Sequence, residues 1–209
     1  FSAIEQIQEA FFSTLSIQPK YQAITHLLSL KDPTVEANQK MAWPKKVNGK
    51  IDFQHVSFTY PDQRGGIQDV SFSIQPGEFV GIVGSTGGGK TTILDLLVRF
   101  YQPHHGNIFL DGINIQDYPL QKLRSVIGVV MQDVFLWNRS IKENLLYAKP
   151  NATMEEIKQV CQKAQILPFI QRLPHQWDTI IGERGVKLSG GEKQRLAIAQ
   201  VLLRNPQVL

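Results

Sequence analysis

Gly84-Ser85-Thr86-Gly87-Gly88-Gly89-Lys90-Thr91 is the stretch on which the reading of this chain turns. It has the form Gly, four residues, then Gly-Lys-Thr. A β-rich run predicts a strand at Glu78 to Val83 before it, and helical spacing predicts a helix from Lys90 to about Phe100 after it. A glycine-rich turn between a strand and a helix lets successive backbone N–H groups face phosphate oxygens, with the positive end of the helix dipole behind them. Lys90 neutralises β- and γ-phosphate charge, and the Thr91 hydroxyl is placed to ligate Mg²⁺, whereas Thr92, one residue on, points elsewhere around the helix. The octapeptide therefore predicts a nucleotide phosphate site.

Working outward, alternation and short β-rich runs predict strands at Ile51 to Thr59, Val70 to Ile74, Gly106 to Leu110 and Ile127 to Met131, with a turn at Asp111-Gly112. Helices are predicted at Leu120 to Ser125, Ile141 to Tyr147, Met154 to Gln165 behind a Thr153 cap with Glu156 three residues on, and Ser189 to Leu203. Gln207-Val208-Leu209 reads as the start of a strand. Residues 1–30 have helical spacing divided by Pro19, and 31–50, rich in Pro, Asn and Lys without periodicity, read as a linker into a main domain starting near Ile51.

The 209 residues are 42% hydrophobic and 19% charged, which suits a folded domain and argues against disorder. The net charge of +4 is scattered, so a dedicated nucleic-acid surface is not expected. A lone Cys161 excludes an internal disulfide and any multi-cysteine metal site, and fits a reducing compartment; packing or simple exposure accounts for it. His26, His55 and His175 are isolated and His104-His105 lie in a turn, so none suggests a metal cluster. No run reaches the roughly 18 to 20 apolar residues that cross a bilayer.

A phosphate-binding loop leaves kinases, GTPases, helicases and transport ATPases open. Leu188-Ser189-Gly190-Gly191-Glu192-Lys193-Gln194-Arg195 narrows them, because it places Ser189 at a helix N-cap with two glycines through which a phosphate can come close. This string resembles the signature of the ATP-binding cassette (ABC) family, and Thr179-Ile180-Ile181-Gly182-Glu183-Arg184-Gly185 resembles the loop that exporter-type members set against their membrane domain. The likeness implies an α/β P-loop NTPase fold with an antiparallel β subdomain and an α-helical signature subdomain. It also implies ATP and Mg²⁺ as ligands, with two nucleotides sandwiched between the P-loop of one domain and the signature of a second, identical or different.

The family pattern carries over position by position. Tyr60, 24 residues before the P-loop, matches the aromatic that stacks on adenine, although taken alone it reads as a strand-end core residue. Gln132 matches the glutamine that reaches Mg²⁺ and the attacking water, although alone it reads as a surface residue. The resemblance thus gives nucleotide contacts at Tyr60, Gly84, Ser85, Thr86, Gly87, Gly88, Gly89, Lys90, Thr91, Thr92, Gln132, Ser189, Gly190 and Gly191. Metal ligation falls to Thr91 and Gln132, and catalytic roles to Gln132 and Lys90. Gly88 stands where many relatives have serine or alanine, which leaves the backbone cradle intact.

The resemblance reads residues 1–30 as the cytosolic end of a last transmembrane helix with its junction helix, and 51–209 as a nucleotide-binding domain lacking the Asp-Glu strand and switch histidine that follow the signature. A chain without that pair is expected to hydrolyse ATP poorly by itself. The complete protein is expected to be an exporter-type half-transporter at the cytoplasmic face of a plasma or bacterial inner membrane, coupling ATP hydrolysis to export, with its transmembrane domain in the same chain. A stand-alone ATPase subunit pairing with a separate permease is the alternative, and a module that closes on ATP without turnover is another. A chromosome-maintenance ATPase would need a coiled coil between Gln132 and Ser189, where only 57 positions without sustained heptads are found.

Overall fold

The structure is a computed structural model that describes residues 46–62 and 65–209, together with Tyr21, Ile24, Thr25 and Pro44. Residues Phe1–Ala37 and Asn38–Leu209 form separate compact units. In the first, Tyr21, Ile24 and Thr25 are helical and exposed, with the Thr25 hydroxyl donating to the Tyr21 carbonyl at 3.0 Å. The rest of the expected junction helix lies outside the described residues. No helix among the described residues is long and apolar enough to cross a membrane.

The second unit opens on a four-stranded antiparallel sheet, β1 (Ile51–Thr59), β2 (Gly66–Ile74), β3 (His105–Leu110) and β4 (Ile113–Asn114), in the order β2-β1-β3-β4. Its inward face follows the two-residue period on each side of an irregularity in β1: Ile51 and Phe53, then Val56 and Phe58, are buried with Ile108 and Leu110 of β3. Register pairs Phe53 with Phe72 on one side and with Ile108 on the other, and the Phe53 and Phe72 rings stack at 4.5 Å. Bulges interrupt β1 around Val56, where His55 has a φ of 50° and Asp69 across the ladder 49°. β2 thus runs from Gly66 rather than Val70, because the bulge hides its alternation. The expected Asp111-Gly112 turn is present, with φ of 52° and 80°.

Asp111 also corrects the domain boundary. Its carboxylate accepts the backbone N–H groups of Asn48 at 2.6 Å, Gly49 at 3.1 Å and Lys50 at 2.8 Å, and Val47 is buried. The last residues of the expected linker therefore belong to the folded unit.

Against the inner face pack α1 (Lys90–Leu97) and α2 (Leu120–Val126), through Leu96, Leu97, Leu123 and Val126. Arg99, 1% exposed, donates to the carbonyls of Ile115 at 3.0 Å and Tyr118 at 2.7 Å, and burial is the main cause that lowers its pKa. Arg124 of α2 donates to the Val98 and Arg99 carbonyls, satisfying acceptors at the C-terminal end of α1 with a cation. The helix beneath the glycine loop is thus held at its far end by two arginines.

A second core is wholly helical. It comprises α3 (Ile141–Ala148), α4 (Met154–Lys163), α5 (Leu167–Arg172), two 3₁₀ turns at Gln176–Asp178 and Glu183–Gly185, and α6 (Gly190–Leu203). Leu145, Ile157, Cys161, Ile170, Leu196 and Ala199 fill it. Cys161 is therefore a packing residue, and burial pushes its thiol up to about 12, where it stays protonated.

Two expected strands are absent. Glu78 to Val83 forms no strand and has none beside it among the described residues, and Ile127 to Met131 is reduced to one parallel bridge, Ile127 to Val208. A strand exists only through its neighbour's hydrogen bonds, and composition cannot supply the neighbour. Phe79 is 100% exposed and Val83 96%.

Three helices begin with capping boxes: Ser140 with Glu143, Thr153 with Glu156, and Ser189 with Glu192. The Ser140 backbone N–H first, then its hydroxyl, holds the Glu143 carboxyl below its ordinary 4.5, and Lys149 first, then the Thr153 N–H, does so for Glu156. A carboxyl depressed in the folded state adds stability that is present above the unfolded value and disappears as pH falls through the folded one. The unfolding midpoint in urea is therefore expected to hold down to about pH 5 and to fall as pH is lowered further through the depressed folded values, and Glu143→Gln with Glu156→Gln to flatten that fall. Parallel pH profiles for both proteins would contradict the assignment.

Candidate nucleotide site

The glycine loop leads into α1 through Gly89, whose φ is 82°. A Cβ there would lie 2.4 Å from Ile67 Cγ2 and 2.7 Å from the Gly66 carbonyl, so the loop fits against β2 only as glycine. Gly87 shares the left-handed φ of 82°, and neither it nor Gly84 would meet any atom within 4 Å with an added Cβ, which leaves the loop's outer side open. Inside the turn the Lys90 ammonium donates to the Gly84 carbonyl at 2.9 Å and to the Ser85 carbonyl at 2.7 Å, and Gly88 N–H donates to Ser85 at 3.1 Å. A positive charge is thereby fixed within a ring of backbone at a helix N-terminus. This arrangement fits a polyphosphate chain.

Thr91 is exposed at the loop mouth, whereas the Thr92 side chain is buried, 3% exposed, on the other side of α1. The structure brings Tyr60 to this same helix. Its hydroxyl donates to Asp95 Oδ2 at 2.7 Å, and its ring meets Phe58 and Tyr101 edge-on at 5.0 and 5.1 Å. Burial, first, raises the phenol pKa, so the group keeps the proton it donates to Asp95. The loop behind Tyr60 folds back through Tyr60 N–H to the Gly65 carbonyl, and Gly65 lies beside Gly87 of the glycine loop. Tyr60 and the loop thus form one contiguous site on the sheet core.

Ser189 stands on the other core. It caps α6 by accepting from Glu192 N–H at 3.4 Å while its own N–H donates to Glu192 at 2.7 Å. As a cap acceptor the hydroxyl keeps its O–H for an outside partner, and Gly190 and Gly191 beside it would meet nothing within 4 Å with a Cβ added. Gln132 is exposed between these regions: Ile127 and Val129 before it pack on the sheet core, and Val134 and Leu136 after it on the helical core. The glycine loop and the Ser189 cap accordingly ride on different cores, joined by the segment that carries Gln132.

Asn144 was not expected. Fully buried on α3, its Nδ2 donates to the Trp137 and Ser140 carbonyls, each at 3.0 Å, and its Oδ1 accepts Trp137 N–H at 2.9 Å. It holds both backbone groups of Trp137, five residues after Gln132, and its only sequence signal is a polar residue on the apolar side of a predicted helix.

Residues 67–209 match the pattern of the ABC transporter family. Among curated proteins the chain is 41% identical over 206 residues to the beta-(1→2)glucan export ATP-binding/permease protein NdvA of Rhodopseudomonas palustris, covering 99% of this chain and 34% of that protein. It is 47% identical over 173 residues to the mitochondrial iron-sulfur clusters transporter ATM1 of Saccharomyces cerevisiae, 83% of this chain and 25% of that one. Among solved structures, a bacterial Atm1-family ABC exporter with ATP bound matches with a TM-score of 0.80 at 38% identity, over 92% of this chain and 34% of that one. The chain spans between a quarter and about a third of these proteins. With that match over residues 67–209 and that identity, the chain belongs to the ABC transporter family, as its ATP-binding cassette.

Proposed function

We propose that the chain is the nucleotide-binding domain of an exporter, which binds ATP and in the intact protein hydrolyses it to drive export across a membrane from the cytoplasmic face. The observation that carries this is the cradle of Gly84 to Thr91, open outward with the Lys90 ammonium fixed inside it. The loop N–H groups and Lys90 bind the phosphates, and Tyr60 takes the adenine against its ring. Bound Mg²⁺ supplies charge neutralisation on the phosphates, and Thr91 and Gln132 are the side chains that would hold it.

The Ser189 cap, with its hydroxyl exposed, serves the nucleotide of a second cassette, so that two domains close around two nucleotides. Closure brings donors to developing charge only when both halves are present, and the spanning position of Gln132 lets its amide follow both cores. Relatives named as exporters support the direction of transport, and the match to an ATP-binding/permease protein over 99% of this chain supports a membrane domain in the same polypeptide.

Ser189→Ala tests the sandwich. It removes the outward donor, so the ATPase rate of the intact protein is expected to fall roughly tenfold or more. Ser189→Thr keeps both cap and donor and is expected to retain most of the rate. An unchanged rate in the alanine variant would sink the assignment.

A further inference from the structure

The aromatic at the base site is not a free-standing ring. Tyr60 directly follows β1 and is followed by Pro61, which restricts its backbone, and the hydrogen bond from its N–H to the Gly65 carbonyl fixes it further. Its hydroxyl nonetheless reaches across to α1, where Asp95 accepts it at 2.7 Å. Thr92 lies three residues earlier, on the same face of α1, and is buried. Phe58 and Tyr101 meet the ring at interplanar angles of 82° and 87°. A hydrogen bond at the tip and two edge-on aromatic neighbours thus hold the ring.

We propose that Asp95 is a positioning residue for base recognition: it clamps the Tyr60 hydroxyl to the helix that starts at the phosphate loop, so base and phosphate contacts are carried by one rigid body. The inference rests on the reading of Tyr60 as the adenine contact. A stacking surface held in place before the ligand arrives spares the cost of ordering it on binding. Because the anchor is on α1, any shift of that helix when phosphate is taken up moves the ring with it. Asp95 touches no ligand atom and acts only through Tyr60.

The test compares binding of Mg·ATP with binding of inorganic tripolyphosphate to the intact protein by calorimetry, since only the first carries a base. Tyr60→Phe keeps the ring and removes the anchored hydroxyl, and Asp95→Ala removes the acceptor. Each is expected to weaken ATP about three- to tenfold, the worth of one hydrogen bond, while tripolyphosphate stays within about twofold. Asp95→Asn still accepts from the phenol and is expected to bind ATP within about twofold of the unaltered protein. The double variant is expected to be no weaker than the weaker single one, because both remove the same bond.

Tyr60→Ala separates the two levels. If it abolishes the preference for ATP over tripolyphosphate while Tyr60→Phe and Asp95→Ala leave that preference intact, the clamp is overturned and the stacking reading stands. If Tyr60→Ala leaves the preference unchanged, both fall. Equal weakening of ATP and tripolyphosphate by Asp95→Ala would also overturn the clamp, since Asp95 would then be supporting the helix alone. Should Asp95→Ala not fold, Tyr60→Phe carries the same comparison.

Discussion

Lys90→Met is expected to lower ATP affinity by roughly 10²- to 10³-fold, a loss of about 3 to 4 kcal/mol, because it removes a charged donor from the middle of the phosphate cradle. The side chains are similar in length and both are flexible, so the substitution deletes charge and donors with little change in volume. Two bonds go at once, those to the Gly84 and Ser85 carbonyls. Those carbonyls then face inward unneutralised, at the place where phosphate oxygens must come. The loop loses its counter-charge and gains repulsion. Calorimetric titration of the intact protein with Mg·ATP measures the effect, and a change under about fivefold would mean that the glycine N–H groups alone carry phosphate binding.

Asn144→Ala is expected to cost about 2 to 4 kcal/mol of folding stability. The substitution leaves Trp137 N–H and the Trp137 carbonyl without their buried partner. An unmatched buried polar group costs about 1 to 3 kcal/mol, and Trp137 is exposed enough for water to recover part of it, which sets the range below the full sum. Asn144→Asp is expected to do no better, since a carboxylate can accept from Trp137 N–H but turns its second oxygen on the Trp137 and Ser140 carbonyls. Chemical unfolding of the intact protein, followed by intrinsic fluorescence, measures both. A loss below about 0.5 kcal/mol would show that the loop after Gln132 holds itself.

Local signals were legible wherever the sequence contained both partners of an interaction. The Thr153 cap with Glu156, the N-cap at Ser189 and the Asp111-Gly112 turn each lie within a few residues, and all are present. The glycine loop was legible for the same reason, its glycines and Lys90 being consecutive. Features that depend on distant residues were not. Asp95 answers Tyr60 across 35 positions, and Asp111 reaches back more than 60 to fold the end of the expected linker into the domain. Arg99 defeats the rule that arginine is exposed, because the carbonyls that satisfy it come from a turn no periodicity announces. Among the described residues the Glu78 to Val83 run has strand composition without a paired strand and the Ile127 to Met131 run pairs only at Ile127 with Val208, since pairing belongs to neighbours and not to the run.

The exposed Phe79 to Val83 run bears on more than its own edge. Val83 directly precedes the glycine loop, and among the described residues no strand pairs with the run that leads into it. Helix α1 anchors the loop's far side through Arg124 and the buried Leu96 and Leu97. The two flanks of the glycine loop are therefore unlike: one is tied into the core by a helix, the other is an exposed apolar run.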